Sequence, residues 1–280
     1  MNRQKIVIFD TTLREGELSP GVSLSIRQKI DLAQQLEAMQ VDVVEVGYPG
    51  AAHTDFDAIY RVAEHLKQTT ICGLAGSQSD EIVAVALALK PATRSRIHLF
   101  TPIHRAAVAV EAEAETLDRI REHVALARHY SPDVEWTAFN ALLADSDFLC
   151  RAVETAIANG ATTISIPDTL GTATTAEFVA VIRDLRDRVP NSDRAIFSVH
   201  CHNDRGLAVA NSLAALDVGV RQIECTLNGI GARKGNADLE QVVEAIAQSA
   251  KFYTDCIPPP QFQLIEHSVP GLTNPRIPLT

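Results

Sequence analysis

The sequence predicts one α/β domain, a single (β/α)8 TIM barrel, because eight short β-rich runs alternate with stretches of helical pattern. In chain order, the runs cover residues 5–10, 41–47, 69–75, 96–100, 134–139, 162–168, 195–202 and 222–229. Strand followed by helix, repeated eight times, is typical of a closed parallel barrel. An open doubly wound sheet shows the same alternation, so the number of strands alone leaves that architecture open.

Each element is assigned from its local pattern. The runs read KIVIFD, VDVVEVG, TTICGLA, RIHLF, VEWTAF, TTISIPD, AIFSVHCH and QIECTLNG. Between them, stretches such as SIRQKIDLAQQLEAMQ and DEIVAVALALK place apolar residues at helical spacing. The composition shifts only after about residue 250, in a stretch that contains Pro258, Pro259 and Pro260. We therefore predict a catalytic barrel over 1–250, followed by a tail over 251–280 that begins a linker or a subdomain otherwise absent.

The composition restricts the class of function. At 280 residues and 46% hydrophobic content the chain can bury a large core, and its net charge of -10 argues against a nucleic-acid partner. The five cysteines are scattered and form no CxxC pair, which favours reduced thiols in a cytosol. The first residues lack a signal-peptide pattern, and no segment approaches the roughly 20 apolar residues that span a bilayer. We expect a soluble, cytoplasmic protein that binds small molecules, with no nucleic-acid or membrane partner.

Polar residues concentrate where the first and seventh strands end, which is where barrel enzymes carry their active sites. His200 and His202 are two residues apart on a strand, so both imidazoles project to one face, as two ligands of one metal must; Cys201 points the other way. Closure of the barrel brings the eighth strand beside the first, so Glu15 and the loop 228–236 can converge on the same ion. Such a shell suits Mg²⁺, Mn²⁺ or Zn²⁺, and the sequence does not choose among them.

The loop after the eighth strand is rich in glycine, with the spacing GxGxxxG at Gly229, Gly231 and Gly235. This spacing, at the last strand instead of the first, is a weak match to a dinucleotide fingerprint. We interpret the loop as a flexible backbone against a ligand, with Arg233 and Lys234 available for a phosphate or a carboxylate. The alternative is a plain barrel loop with solvated basic residues.

Arg14 lies beside the predicted ligand Glu15, where a cation is favoured if an anionic substrate shares the site. We expect Arg14 to hold an enolate or carboxylate oxygen, which is compatible with a salt bridge to Glu45 or Glu17. Thr169 offers a hydroxyl to a substrate carboxylate, or it caps a helix.

Glu45 is grouped with Arg14 and Thr169 as a candidate catalytic residue. His98, whose role the sequence leaves undecided, and Thr137 are grouped with the candidate substrate-binding residues.

With these motifs in hand, the chain resembles the 2-isopropylmalate, homocitrate and citramalate synthase group of metal-dependent barrels. The resemblance covers nearly the whole length and is strongest in FDTTLREGELSPG and HCHNDRGLAVANSLAALDVGVRQIECTLNGIGARKGN. It implies an enzyme that joins acetyl-CoA to a 2-oxo acid with the help of a divalent metal. It also implies roles for single residues: Arg14 at the reacting oxygens, Thr169 at the oxo-acid carboxylate, and a metal held by Glu15, His200, His202 and Asn236.

Three positions depart from the pattern of that group. Leu18 replaces a Gln, Phe139 stands where the group has a Glu, and Ala232 replaces a Glu before Arg233. Leu18 and Phe139 make the predicted substrate pocket more apolar, which suits a bulky or aromatic 2-oxo acid such as phenylpyruvate. The alternatives are that these side chains pack sideways and leave the substrate unchanged, or that turnover is altered or lost.

Other readings stay open at this point. A lyase of the hydroxymethylglutaryl-CoA type shares the barrel and the pair of metal-binding histidines. A catalytically reduced subunit would retain the metal and need a partner. Because the resembling synthases continue into subdomains that complete the active site of a neighbouring subunit, we expect a homodimer or a partner that supplies those parts.

Overall fold

The fold is a closed barrel of eight parallel strands, as the sequence predicts. The computed structural model describes residues 3–76, 78–110 and 112–257. The barrel is formed by β2–β9 in sequence order, and a separate two-stranded sheet pairs β1 with β10. The strands are β1 Gln4–Lys5, β2 Val7–Asp10, β3 Val43–Gly47, β4 Thr70–Ala75, β5 Ser95–Pro102, β6 Val134–Phe139, β7 Thr163–Asp168, β8 Ile196–Cys201, β9 Gln222–Cys225 and β10 Phe252–Tyr253.

Helices follow each barrel strand and cover the outside of the barrel. They are α1 Ile26–Ala38, α2 Thr54–His65, α3 Ser79–Ala88, α4 Arg105–Val110, α5 Glu113–Tyr130, α6 Ser146–Ala158, α7 Thr175–Arg188, α8 Ala208–Leu216 and α9 Leu239–Ala247. Capping boxes, in which a side chain and a backbone amide bond reciprocally, begin α1 at Ser25 and α7 at Thr174. In the described part of the chain, no helix has the length and apolar character that would let it cross a bilayer.

The two faces of the barrel wall differ in chemistry. Outward-facing residues such as Ile8, Val44 and Ile71 join the helices in the large apolar core. The inside carries a small apolar cluster around Phe9 together with buried polar side chains. Polar side chains at this depth need partners, and these find them in one another. The interior is therefore a polar support beneath the open end of the barrel.

Two predicted runs are each divided between a barrel strand and another element. The run 5–10 is divided between β1, which pairs with β10, and β2, which belongs to the barrel. The run 222–229 ends as a strand at Cys225, and residues 227–229 form a 3-10 turn in which Asn228 has a φ of 53°. The turn redirects the glycine-rich loop over the mouth of the barrel.

The segment after residue 250 packs against the start of the chain. Gln4 pairs with Phe252, Cys256 is buried, and the Ile257 N–H donates to the Met39 carbonyl over 2.9 Å. Residues 251–257 thus close the amino-terminal end of the barrel. The predicted Pro258–Pro260 boundary lies outside the described residues.

Candidate metal-binding active site

Three of the four predicted metal ligands meet at the carboxyl ends of β2 and β8. Glu15, His200 and His202 place their ligand atoms within 4.8 Å of one another. The Nε2 atom of His202 lies 3.8 Å from Glu15 Oε1, and the two histidine rings have centroids 5.1 Å apart. Cys201, between the histidines, is buried in the outer apolar core, as the alternation along a strand requires.

The side chain of the fourth predicted ligand, Asn236, faces the ring of His200, and a proton or a cation is needed between their two facing atoms. Asn236 Nδ2 donates to the Ile230 carbonyl over 2.9 Å, which turns Oδ1 toward His200 Nε2 at 3.1 Å. The other ring nitrogen, Nδ1, lies 2.8 Å from a Glu224 carboxylate oxygen. A neutral imidazole has one N–H, so if Nδ1 donates to Glu224, then Nε2 and Oδ1 present lone pairs to each other. Either a proton or a metal cation satisfies both atoms.

His202 supplies a second observation that fits a metal. Its Nδ1 atom is buried and has no hydrogen-bond partner among the described residues. Burial and the neighbouring His200 lower the pKa of His202 to about 4, so the ring is neutral and able to act as a ligand near neutral pH. Two imidazoles, a carboxylate and an amide oxygen form a donor set that suits a divalent cation such as Mn²⁺ or Zn²⁺.

The glycine-rich loop holds Asn236 by close packing. Gly231 has a φ of 151°, and a Cβ at this position would collide with the Asn236 side-chain amide. The backbone of Gly231 is fixed by Ser19, whose hydroxyl accepts from Gly231 N–H over 2.7 Å and lies 3.0 Å from Gly231 O. These hydrogen bonds therefore join the loops after β2 and β9 beside the candidate metal ligands.

A buried chain of polar contacts leads from the metal ligands along one side of the barrel mouth. Arg14 donates to Glu45 from Nε over 2.7 Å and also pairs with Glu15. Glu45 Oε1 lies 2.7 Å from His98 Nδ1, and His98 Nε2 lies 2.7 Å from the Thr137 hydroxyl. The structure thus brings the predicted residues Arg14, Glu45, His98 and Thr137 into one network.

The charges in this network stabilise one another. Burial alone disfavours the ionised form of Glu45, but Arg14 and His98 outweigh it and lower the pKa of the carboxyl. Burial likewise opposes protonation of His98, whereas the Glu45 carboxylate raises the pKa of the imidazole. The result is a fixed ionised pair of Arg14 and Glu45 beside the candidate metal ligands.

Thr169 directly follows β7, the strand that pairs with β6, and it is not a helix cap, because Thr174 caps the following helix α7. Its hydroxyl accepts from the Asn140 N–H over 3.3 Å, and its carbonyl accepts from Arg233 over 2.7 Å. Arg233 also donates to both oxygens of Asp204 over 2.9 Å. Arg233 is thus engaged by protein groups and holds the Thr169 backbone.

The sequence did not single out Tyr48 and Phe100, which form an aromatic wall together with Phe139. The ring centroids of Tyr48 and Phe100 are 6.0 Å apart, and those of Phe100 and Phe139 are 5.8 Å apart. The Tyr48 hydroxyl donates to Glu81 over 3.1 Å. Phe100 follows His98 by two residues on β5, and that spacing could have placed both on the same face.

A cleft of about 620 Å³ opens beside Arg14, between the loops after β2 and β3. Its apolar lining includes Leu18, Tyr48 and Leu74, and Leu18 is 56% exposed. Lys29 is buried at its edge, where the ammonium lies 2.7 Å from a carboxylate oxygen of Glu17. The cleft therefore joins an apolar lining to a charged end at Arg14.

Comparison with known proteins gives a family match over most of the chain. The family model described as HMGL-like matches residues 5–257. The chain is 50% identical over 250 residues to a 2-isopropylmalate synthase from Methylobacterium nodulans, covering 88% of this chain and 48% of that protein. It is 47% identical over 247 residues to a 2-isopropylmalate synthase from Rhodopseudomonas palustris, covering 87% and 47% respectively. The chain thus spans about half the length of these relatives.

Solved structures show the same fold at lower identity. A hydroxymethylglutaryl-CoA lyase from Acinetobacter baumannii, in complex with coenzyme A and 3-methylmalate, superposes with a TM-score of 0.77 at 20% identity, covering 95% of this chain and 90% of that chain. The lyase from Pseudomonas aeruginosa superposes with a TM-score of 0.75 at 18% identity, covering 95% and 91%.

Proposed function

The chain belongs to the HMGL-like family, and from that premise we propose that it forms the catalytic barrel of a synthase that condenses acetyl-CoA with a 2-oxo acid. The reaction joins the acetyl methyl carbon to the oxo-acid carbonyl carbon, and water then cleaves the thioester to give free coenzyme A and a 2-alkylmalate. The observation that carries the proposal is the junction of the candidate metal ligands with the Arg14–Glu45 pair at one barrel mouth.

Each part of the site has a task in this reaction. Glu15, His200, His202 and Asn236 would hold a divalent cation, which when bound withdraws electron density from the oxo-acid carbonyl. Arg14 is held by Glu45 and Glu15, so its guanidinium is oriented before the substrate arrives and can stabilise an oxygen on which negative charge develops. Thr169 can donate its hydroxyl proton to the substrate carboxylate, because the Asn140 N–H occupies only one of its acceptor positions.

The lyase alternative rests on fold likeness. The matching lyase structures are 20% identical or less, whereas the 2-isopropylmalate synthases are 47–50% identical over the barrel. Both reaction classes develop negative charge on an oxygen, which the guanidinium of Arg14 can stabilise in either direction. The sequence similarity therefore favours condensation.

The lining of the mouth favours a large apolar side chain on the oxo acid, such as that of phenylpyruvate. Phe139 is 36% exposed at the end of β6 and packs against Phe100 with its ring tilted, while Leu18 and Leu74 line the cleft beside Arg14. An apolar side chain buried there would release water from both surfaces. A second carboxylate would lose hydration without a cation in the aromatic wall to pair with it.

We further propose that residues 1–250 are the catalytic part, that the protein works in the cytoplasm, and that a second copy or a partner supplies further elements of the active site. The relatives are about twice as long as the matched region, which supports the need for additional parts. A catalytically reduced subunit would share this requirement but would stay inactive with its partner present.

The proposal is tested by thiol release from acetyl-CoA with metal-loaded protein and four separate acceptors: pyruvate, 2-oxoisovalerate, 2-oxoglutarate and phenylpyruvate. We expect release that depends on the oxo acid, is greatest with phenylpyruvate and is abolished by His202→Ala. If release is greatest with a different acceptor, the proposed apolar side chain of the oxo acid is wrong, but the condensation reaction still stands. Absence of release in a protein that binds metal, with its partner subunit present, would contradict the synthase assignment.

A further inference from the structure

Glu224, on β9, is a buried carboxylate in contact with the candidate ligand His200, and no role was predicted for it from the sequence. Its Oε2 atom lies 2.8 Å from His200 Nδ1, on the side of the ring opposite Asn236. Glu224 is 1% exposed. A carboxylate at this depth has lost its contact with water, so each of its oxygens needs a hydrogen-bond donor from the protein.

Both oxygens of this carboxylate are held. Oε1 accepts from the hydroxyls of Ser165 and Ser198, the latter over 3.2 Å. Ser198 is in turn bonded by Gln222 Nε2 over 2.9 Å. Because β7, β8 and β9 each contribute one of these groups, the barrel wall fixes the direction in which Glu224 faces His200.

The chain of contacts continues away from the metal ligands. Gln222 Nε2 also donates to Glu135 over 2.9 Å, and Arg96 donates to both Glu135 and Gln222 over 2.7 Å. Glu135 is therefore a second buried glutamate in the same barrel interior. It contacts Arg96 and Gln222, and no contact joins it to His200 in the described structure.

We propose that Glu224 is a positioning residue for metal binding: it accepts a hydrogen bond from His200 Nδ1–H, so that the Nε2 lone pair faces Asn236 and is free to bind a cation. The inference rests on the proposed metal site. A carboxylate that accepts a hydrogen bond from the second ring nitrogen of a ligating histidine fixes the orientation of the ring and makes the other nitrogen a better ligand. A glutamine at 224 could present an N–H to the ring and favour the wrong tautomer.

The test is the dissociation constant for Mn²⁺, measured from the electron paramagnetic resonance signal of free Mn²⁺ during titration of the full chain. We expect Glu224→Gln to weaken Mn²⁺ binding by about 10–100-fold. The matched control is Glu135→Gln, the same change in the same barrel interior, which should lower the unfolding midpoint and leave the Mn²⁺ affinity of the folded protein close to wild type. Equal Mn²⁺ affinity in Glu224→Gln and wild type would overturn the proposal, as would an equal loss in both variants.

A second variant keeps the test decisive if Glu224→Gln does not fold. Ser165→Ala removes one hydrogen bond to Glu224 and leaves every charge in place, so it should weaken Mn²⁺ binding by a smaller factor and shift the visible absorption of bound Co²⁺. An unchanged Co²⁺ spectrum and an unchanged affinity would count against positioning. Failure of condensation with Mn²⁺ bound tightly in wild type would refute the synthase assignment alone, whereas failure of wild type to bind Mn²⁺ would overturn both.

Discussion

Two nitrogens of Arg14 contact the same carboxylate oxygen of Glu45, Oε2: Nε lies at 2.7 Å and Nη2 at 2.5 Å. The pair lies between the candidate metal ligand Glu15 and the buried imidazole of His98. A planar guanidinium can bond two carboxylates at once and keep a fixed orientation, which a lysine ammonium cannot do in the same way. The orientation of Arg14 is therefore set by the protein before substrate binds.

Arg14→Lys should lower kcat for thiol release by roughly 10²–10³-fold, the usual effect of losing one donor at a developing oxyanion. The variant should still bind Mn²⁺, because none of the candidate ligand atoms is removed. Steady-state kinetics provides the measurement, and Arg27→Lys, at an exposed i,i+4 pair with Asp31, provides the control. A kcat near that of wild type would show that Arg14 does not act on the reacting oxygens.

Gly231→Ala should weaken metal binding, because its Cβ would displace the Asn236 amide from its position beside His200. The control is Gly21→Ala, since Gly21 also has a positive φ, of 82°, but nothing lies within 4 Å of its added Cβ. Both variants should lose about 1 kcal/mol or more of stability from backbone strain. Only Gly231→Ala should raise the dissociation constant for Mn²⁺, and the same constant in both variants would argue against Asn236 as a ligand.

Phe139→Glu should move the oxo-acid preference away from phenylpyruvate. A carboxylate in the aromatic wall is poorly solvated against an apolar substrate, and we expect kcat/KM for phenylpyruvate to fall at least about tenfold relative to that for pyruvate. Leu143→Glu is the matched control, because Leu143 is exposed on the 3-10 turn that follows β6. If the ratio of the two kcat/KM values stays at the wild-type level, Phe139 does not contact the substrate side chain.

Lys29→Met should destabilise the barrel, since it leaves the carboxylates of Glu17 and Asp55 beside the cleft without their shared cation. Breaking a buried ion pair by removing one partner costs on the order of 3 kcal/mol, and urea unfolding would measure it. The exposed Lys90→Met is the control and should unfold as wild type does. A similar midpoint for both variants would mean that water compensates the two carboxylates.

The strands and the meeting of three candidate metal ligands could be predicted from the sequence, because both depend on local spacing and on the order of the elements. Eight short β-rich runs separated by helical patterns predicted the barrel strands, and the two-residue separation of His200 and His202 predicted that their imidazoles share one face. Proximity of Glu15 followed from closure of the barrel, which brings its last strand beside its first. These features need only the period of a strand and the order of the elements.

The remaining features depend on register and on loops. Tyr48 and Phe100 meet through loop geometry that no local pattern encodes. Arg233 has a φ of 56° and turns back onto Asp204. Its charge is therefore paired within the protein, whereas the sequence predicted a group available for a phosphate or a carboxylate. The role of Glu224 was missed because a glutamate within a β-rich run does not indicate which side chain of the neighbouring strand it will contact.

The most direct test of the central claim is mass spectrometry of the acid formed from acetyl-CoA carrying ¹³C in both acetyl carbons, with an oxo acid, Mn²⁺ and the full-length protein. Condensation predicts a dicarboxylic acid whose mass is that of the oxo acid plus labelled acetic acid, formed together with free coenzyme A and absent with His202→Ala. If Mn²⁺-loaded protein forms labelled acetate as its only labelled acid, or forms no labelled acid, the protein does not catalyse the condensation.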